Sequence, residues 1–308
     1  MDLDNNIVSI IIRTANQSRL LLLEKSVESV IANDYRPIEI VIVAQLEQLK
    51  FIDSLQNICR KFSSEQIQVK LIVNHTSKDE RAKNLNIGIN NAKGRYIGFL
   101  DDDDIFYSNH ISMLVNILKS DQTFAWVFSD VKLALVSMNQ NNINYISCDY
   151  RFSQYAFSLE SLFKNNFILI HSYLIDTNRV DSKYLLFDES FTVGEDYSFI
   201  LRLAKYYHPY YLKIVTCEYR IFEDYSNSNI LMNEIQKYPD KNKIKEWSKA
   251  LWRIEKLKKE LMPEYSSEWI PLGFRKYIFY KFPELKILLQ YKMPRLRRFL
   301  ISLLRLKI

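Results

Sequence analysis

Four aspartates in a row, Asp101 to Asp104, follow directly on the apolar run YIGFL. An acidic run is ordinarily a solvated turn. At the end of a buried strand, however, like charges repel and raise one another's pKa unless a cation sits among them. A hard divalent ion is the natural partner, because Mg2+ or Mn2+ takes oxygen ligands and typically joins one or two carboxylates to a substrate diphosphate. Such an ion offsets negative charge that builds on a departing group, without proton transfer. A second acidic pair, Glu195 and Asp196, follows Gly194 and precedes the helix-like stretch YSFILRLA. Taken alone it reads as an acidic helix N-terminus, where carboxylates favour the dipole.

Other chemistries find little support. Cys59, Cys148 and Cys217 are odd in number and widely spaced, which favours neither a disulfide framework nor a Cys-based zinc site. His75, His110, His171 and His208 form no HExxH or similar ligand pair. The N-terminus is acidic before it is apolar, the reverse of a signal peptide, and no apolar run approaches the ~20 residues that span a bilayer. The expected compartment is a reducing cytoplasm.

The elements that must position the carboxylates alternate in type. Ile7–Ile12 is a β-branched run, followed by a helical pattern over Arg19–Ala32 and a second strand at Ile38–Val43. A helical stretch around Glu47–Phe62 leads to a strand at Val69–Val73, then a helix at Asp79–Asn91 and a strand at Tyr96–Leu100. This alternation predicts right-handed βαβ units and an α/β fold with a mainly parallel sheet. Ligands of such sheets bind outside the carboxyl ends of the strands. The positions to inspect are therefore Arg13–Asn16, Ala44–Gln45, Asn74–His75 and Asp101–Asp104. Lys132–Arg151 reads as a loop able to shape an acceptor pocket.

Three stretches together resemble glycosyltransferase family 2, the inverting, nucleotide-sugar-dependent enzymes of GT-A (Rossmann-like) fold. VSIIIRTANQSRLLLLEKSVESVIANDYRPIEIVIV is similar to the family's opening strand–helix–strand. NIGINNAKGRYIGFLDDDDIFYSNH is similar to its run into the D-x-D motif, and NFILIHSYLID with LLFDESFTVGEDYSFILRLA to its acceptor-side segment. The resemblance spans residues 7–205.

It implies a sugar transfer from a nucleotide donor of UDP, dTDP or GDP type to a glycan or lipid-linked acceptor, as in cell-surface polysaccharide biosynthesis. Asp103 would hold Mn2+ or Mg2+, with Asp101 near the ribose or a metal-bound water. Asp196 would be the general base, a role Glu195 could share, with its pKa raised by partial burial near Phe191, Tyr197 and Phe199. Arg13 and Thr14 would line the donor site. Arg81 is either an anion partner of the donor or a solvated helix arginine. His171, on an apolar strand, is either a core histidine with one hydrogen bond or a site residue, as the family often has. Two positions depart from the family pattern: Ala15 replaces an aromatic residue that stacks on uracil, and Ala44–Gln45 replaces an Asp-Asp pair. Gln45 can both donate and accept, and so could still read a base edge.

The net charge of +6 is unevenly spread: residues 226–308 carry 19 Lys and Arg against 8 Asp and Glu. The expected organisation is thus a catalytic domain over 1–225 and a basic helical tail over 226–308. Ile244, Trp247, Leu251, Ile254, Leu257 and Leu261 recur at helical spacing, a stripe suited to docking on the body or a partner helix. From Pro294 onward Leu296, Phe299, Leu300, Leu303 and Leu304 share one face flanked by Arg295, Arg298 and Arg305. A basic amphipathic helix of this kind suits the surface of an anionic membrane, which would make the protein peripheral at the inner membrane face. No recognised nucleic-acid module is present.

Among competing readings, a haloacid-dehalogenase-like phosphatase needs its D-x-D on the first strand. A nucleotidyltransferase usually has a glycine-rich loop after that strand, and IIRTANQSR contains none. A membrane-associated binding or scaffold protein with a degenerate site is the non-enzyme alternative, supported by Ala15 and Ala44. Only five glycines occur in 308 residues, and Gly88, Gly94, Gly98 and Gly194 lie in the two acidic segments or on the approach to them. Gly273 is the fifth.

Overall fold

A computed structural model describes residues 4–46, 51–139, 142–149, 157–222 and 241–264. The chain divides into two compact units, Met1–Met232 and Asn233–Ile308. This division and the boundary expected at 225 both fall within 223–240, outside the described residues.

The first unit opens with β1 (Asp4–Thr14), α1 (Leu20–Ile31), β2 (Ile38–Leu46), α2 (Ile52–Phe62), β3 (Ile67–His75), α3 (Arg81–Asn91) and β4 (Gly94–Asp101). This is the alternation expected from the sequence. There follow β5 (Ile105–Phe106), α4 (His110–Ser120), β6 (Trp126–Asn139), β7 (Asn142–Asp149), α5 (Leu159–Lys164), β8 (Tyr173–Asp176), α6 (Glu195–Tyr206) and β9 (Tyr210–Phe222). In space the strands lie in the order β3-β2-β1-β4-β8-β6-β9-β5, with β7 on the side of β6. Strands β1, β2, β3, β4, β6 and β9 run one way, and β5, β7 and β8 run against them.

Burial on both faces explains the unbroken β-branched run of β1. Val8, Ile10 and Ile12 pack with Leu23, Val27 and Val30 of α1 in one core cluster. Ile11 points to the other face and meets α3. There Gly88 brings the helix so close that an added Cβ would lie 2.4 Å from Ile11 Cγ2. A glycine at this place lets α3 sit against β1, and α3 in turn leads into β4 and its aspartates.

Two expectations need correction. Within the expected loop, residues 132–139 and 142–149 are strand: β6 and β7 pair antiparallel from Leu133–Asp149 to Asn139–Asn142. The outer strand β7 is largely exposed, and its alternation of polar with apolar residues breaks phase between Tyr145 and Ile146, beside the point where the pairing register shifts. His171 is not on a strand but in a single 3-10 turn, Ile170–Ser172, that precedes β8. The turn closes because the Leu169 carbonyl accepts both the Ser172 N–H and its hydroxyl.

In the second unit, α7 (Lys241–Leu261) covers the expected stripe, and of its described members Ile254 is buried and Leu251, Leu257 and Leu261 are half-buried. Ala250 and Ile254 are buried while Trp252 is exposed. The amphipathic segment from Pro294 lies outside the described residues.

Candidate active site

Strand register brings the inspected positions to one sheet edge. Arg13 stands opposite Val43 on one side and Asp101 on the other, Thr14 opposite Ala44, and Gln45 opposite Asn74. These are the carboxyl ends of parallel strands, where the fold type places ligands. Arg13 Nε donates to Asp101 Oδ1 at 2.8 Å and Arg13 Nη1 to Glu195 Oε1 at 2.5 Å. One guanidinium therefore joins the two acidic segments, which lie 94 positions apart in sequence.

Aromatic packing holds α6 in reach of β4. Phe99, two residues before Asp101, meets Phe187, Phe199 and Tyr173 edge-on, and Phe187 stacks on Phe199 at 4.2 Å between centroids. Asn86 of α3 fixes Phe187 further: its Nδ2 donates to the Phe187 carbonyl, and its Oδ1 accepts the Phe187 N–H. Gly194 then starts α6 with φ +76°, a left-handed conformation that side-chain-bearing residues avoid.

Each member of the aspartate run has its own environment. Thr14 Oγ1 donates to Asp102 Oδ2 at 2.6 Å. Arg19, at the start of α1, places Nη1 3.0 Å from Asp102 Oδ1 and donates from Nη2 to Asp103 Oδ2. Asp104 is fully buried: Oδ1 accepts the Arg220 N–H at 2.8 Å, Oδ2 lies 3.1 Å from His171 Nδ1, and its carbonyl accepts the Ser26 hydroxyl. His171 is thus tied to the acidic turn from beneath and is 1% exposed.

The titration directions follow. Burial pushes the Asp101 carboxyl up, but the adjacent Arg13 more than offsets it and holds the pKa below the ordinary value. Asp103 goes the other way, raised by burial and then by the Asp104 charge, with Arg19 only partly compensating. A divalent cation would reverse that direction and keep Asp103 ionised. Asp196 is raised to about 6, by burial and then by the Glu195 charge, with the Tyr197 backbone N–H and Arg13 acting against.

Glu195 and Asp196, paired as candidates, are separated by the structure. Glu195 is buried against Arg13, which occupies its carboxylate. Asp196 is partly exposed, with Asn166 Nδ2 at 3.4 Å from Oδ2. Phe191 and Phe199 are buried, and Tyr197 donates its hydroxyl to the Leu162 carbonyl.

Gln45 is more constrained than its side chain suggests. Its Oε1 accepts the Glu80 backbone N–H at 3.1 Å and Asn84 Nδ2 at 2.8 Å. Asn84 Oδ1 accepts Asn74 Nδ2, which also donates to the Glu80 carboxylate. A backbone donor at one end and a carboxylate at the other fix the polarity of all three amides. The Gln45 carbonyl is therefore committed to the start of α3, and only its amide N–H groups remain for a ligand. Arg81, at the same helix start, donates from Nε to both Asp79 oxygens, at 3.2 and 3.1 Å.

Among the described residues no three His, Cys, Asp or Glu side chains converge as a metal cage. A cation shared with a diphosphate needs only one or two carboxylates. Asp103 already meets a cation in Arg19 and Asp101 one in Arg13, so the two carboxylates singled out in the sequence fit that mode. Arg19 itself escaped the sequence reading, as did the buried Tyr173 hydroxyl, whose neighbouring charges include Asp196 and Asp101. A basic residue just beyond β1 was the only available signal for Arg19.

Comparison with known proteins agrees with this geometry. The family model described as "Glycosyl transferase family 2" matches residues 9–172. An uncharacterized glycosyltransferase of Rickettsia typhi is 26% identical over 260 residues, covering 83% of this chain and 74% of its own length. The GalNAc(5)-diNAcBac-PP-undecaprenol beta-1,3-glucosyltransferase of Campylobacter jejuni is 28% identical over 123 residues, or 40% of this chain and 37% of that one. Among solved structures, the mannosyltransferase PcManGT of Pyrobaculum calidifontis, in complex with GDP-Man and Mn2+, is similar with TM-score 0.55 at 13% identity over 97% of this chain and 81% of its own. S. aureus TarS 1-349 in complex with UDP-GlcNAc gives TM-score 0.54 at 12% identity over 89% and 79%. The chain is a glycosyltransferase that belongs to family 2 and has the GT-A fold.

Proposed function

We propose that the enzyme moves a sugar from a nucleoside-diphosphate sugar to a hydroxyl of a glycan or lipid-linked glycan by a single displacement that inverts the anomeric carbon. The observation that carries this reading is the Arg13 bridge, which sets the Asp101 end of the aspartate run beside the Glu195–Asp196 pair. Asp196 takes the proton of the acceptor hydroxyl as its oxygen attacks the anomeric carbon. The bond from that carbon to the diphosphate oxygen breaks, and the nucleoside diphosphate leaves with the bonding electron pair. A carboxylate whose pKa is about 6 is ionised at neutral pH yet basic enough to take a proton in the transition state. Glu195 orients Arg13 rather than accepting that proton.

Asp103, with Asp101 beside it, would hold Mn2+ or Mg2+. The ion supplies electrostatic stabilisation of the leaving diphosphate. Arg13 and Thr14 keep Asp101 and Asp102 in place at the strand ends, and Gln45 and Arg81 stand at the start of α3 on the same edge. The relatives support the donor and acceptor classes: the solved neighbours hold UDP-GlcNAc or GDP-Man, and the Campylobacter relative is named for a glucosyl transfer to an undecaprenol-linked glycan. UDP-, dTDP- and GDP-sugars are the donors to screen.

No helix among the described residues is long and apolar enough to cross a membrane. The basic excess of residues 226–308 supports a peripheral attachment to an anionic surface, readable as flotation with phosphatidylglycerol vesicles but not phosphatidylcholine vesicles. The catalytic reading is tested by Asp196→Asn, which should abolish transfer while sparing nucleotide binding. An unchanged transfer rate places the base elsewhere.

A further inference from the structure

Arg19 occupies an unusual place for a cation. It ends a one-turn 3-10 helix, Gln17–Arg19, and is the residue that caps the N-terminus of α1. The positive end of a helix dipole disfavours a guanidinium there, and no acidic residue lies in the first turn of α1 to compensate. Its compensation comes from across the sheet edge: Nη1 on Asp102, Nη2 on Asp103. The bonding is incomplete, because Nε is buried without a hydrogen-bond acceptor.

The neighbouring anchors of the acidic turn differ in kind. Asp101 is held by Arg13 within the sheet, and Asp104 by a backbone N–H of β9 and by the buried His171. Arg19, by contrast, reaches its carboxylates from the one-turn 3-10 helix before α1, with a side chain that is 28% exposed. It can leave toward solvent without unmaking a strand contact. A planar guanidinium with parallel donors also suits a diphosphate, which it can meet with two hydrogen bonds at once.

We propose that Arg19 is the resident counter-cation of Asp102 and Asp103, that it is exchanged for the divalent ion when a nucleoside diphosphate binds, and that its freed guanidinium then holds the diphosphate. This deepens the functional reading above and rests on it. The consequence is a pair of opposite effects. Removing the guanidinium removes a competitor for Asp103, so the metal binds the nucleotide-free protein more tightly. The same change removes a diphosphate contact, so the nucleotide binds more weakly.

The test measures two affinities in wild type, Arg19→Met and Arg19→Lys, each first shown folded by circular dichroism. Mn2+ binding to nucleotide-free protein is read by electron paramagnetic resonance of the free ion. UDP and GDP binding at saturating Mn2+ is read by calorimetry. The expected result for Arg19→Met is Mn2+ affinity higher by about tenfold and affinity for the bound nucleotide lower by about tenfold, each the loss of one charge-assisted contact. Arg19→Lys, which keeps the charge, should stay near wild type in the Mn2+ measurement. Mn2+ affinity that is unchanged or lower in Arg19→Met overturns the proposal, even if nucleotide binding is intact. Failure of wild type and variants alike to bind Mn2+ or either nucleotide overturns the functional reading as well.

Discussion

Glu195 and Asp196 are adjacent in sequence and opposite in surroundings. Glu195 is 3% exposed and lies 2.5 Å from Arg13, whereas Asp196 is partly exposed and raised to about 6 with the Glu195 charge among the causes. One carboxylate holds an arginine in place, and its charge helps raise the pKa of the other. In the proposed reaction this division of labour puts the proton acceptor on the first turn of α6.

This arrangement has a signature in pH. The native Asp196 pKa of about 6 exceeds the ~3.9 of an unfolded aspartate, so between those values the folded protein binds a proton that the unfolded chain releases. Transfer should therefore fall on the acid side with an apparent pKa near 6, while stability should decline as pH rises across the same window. Asp196→Asn removes a charge disfavoured by desolvation and by Glu195, and should melt higher than wild type at pH 7 although inactive. Thermal melts at pH 5 and pH 7, set beside the rate profile, check both halves.

Arg13 makes a second prediction. Its replacement by Met leaves Asp101 and Glu195 without their partner at a site where Glu195 is buried. Breaking such a pair costs roughly 3–5 kcal/mol. Urea unfolding should show a loss of that order, with part of it restored when Glu195→Gln is added. A loss below about 1 kcal/mol, the worth of an exposed pair, would show that Arg13 does not organise the site.

The committed carbonyl of Gln45 makes a third. Gln45→Ala strands the Glu80 N–H and the Asn84 amide, at a cost of about 1–3 kcal/mol. Gln45→Glu keeps an acceptor for both donors and replaces the amide N–H donors by a charged carboxylate oxygen. It should retain most of the stability while changing the order of preference among UDP, dTDP and GDP in calorimetric titrations. An unchanged order would place Gln45 in the support of α3 alone.

Strands β1, β2 and β4 and both acidic segments are legible in the sequence because a strand buried on both faces must be apolar throughout, and because charge at its end is conspicuous. The pairing of β6 with β7 is not legible, since β7 is largely exposed and its alternation changes phase after Tyr145, near the register shift. Arg19 is hidden for another reason: its partners lie more than eighty positions away and meet it only because β1 and β4 are neighbours in register. His171 reads as a strand residue, yet the Leu169 carbonyl draws Ser172 into a turn and sets the imidazole under Asp104. The polarity of Gln45 likewise belongs to a ring of amides that only the folded chain closes.

The most direct measurement incubates the full chain with UDP-, dTDP- and GDP-sugars, Mn2+ or Mg2+, and an undecaprenol-linked glycan fraction, and follows the released nucleoside diphosphate. The account predicts release with at least one donor, lost in Asp103→Ala and in Asp196→Asn while both variants remain folded. Release that proceeds equally in Asp196→Asn, or no release above that variant from any donor, would contradict it.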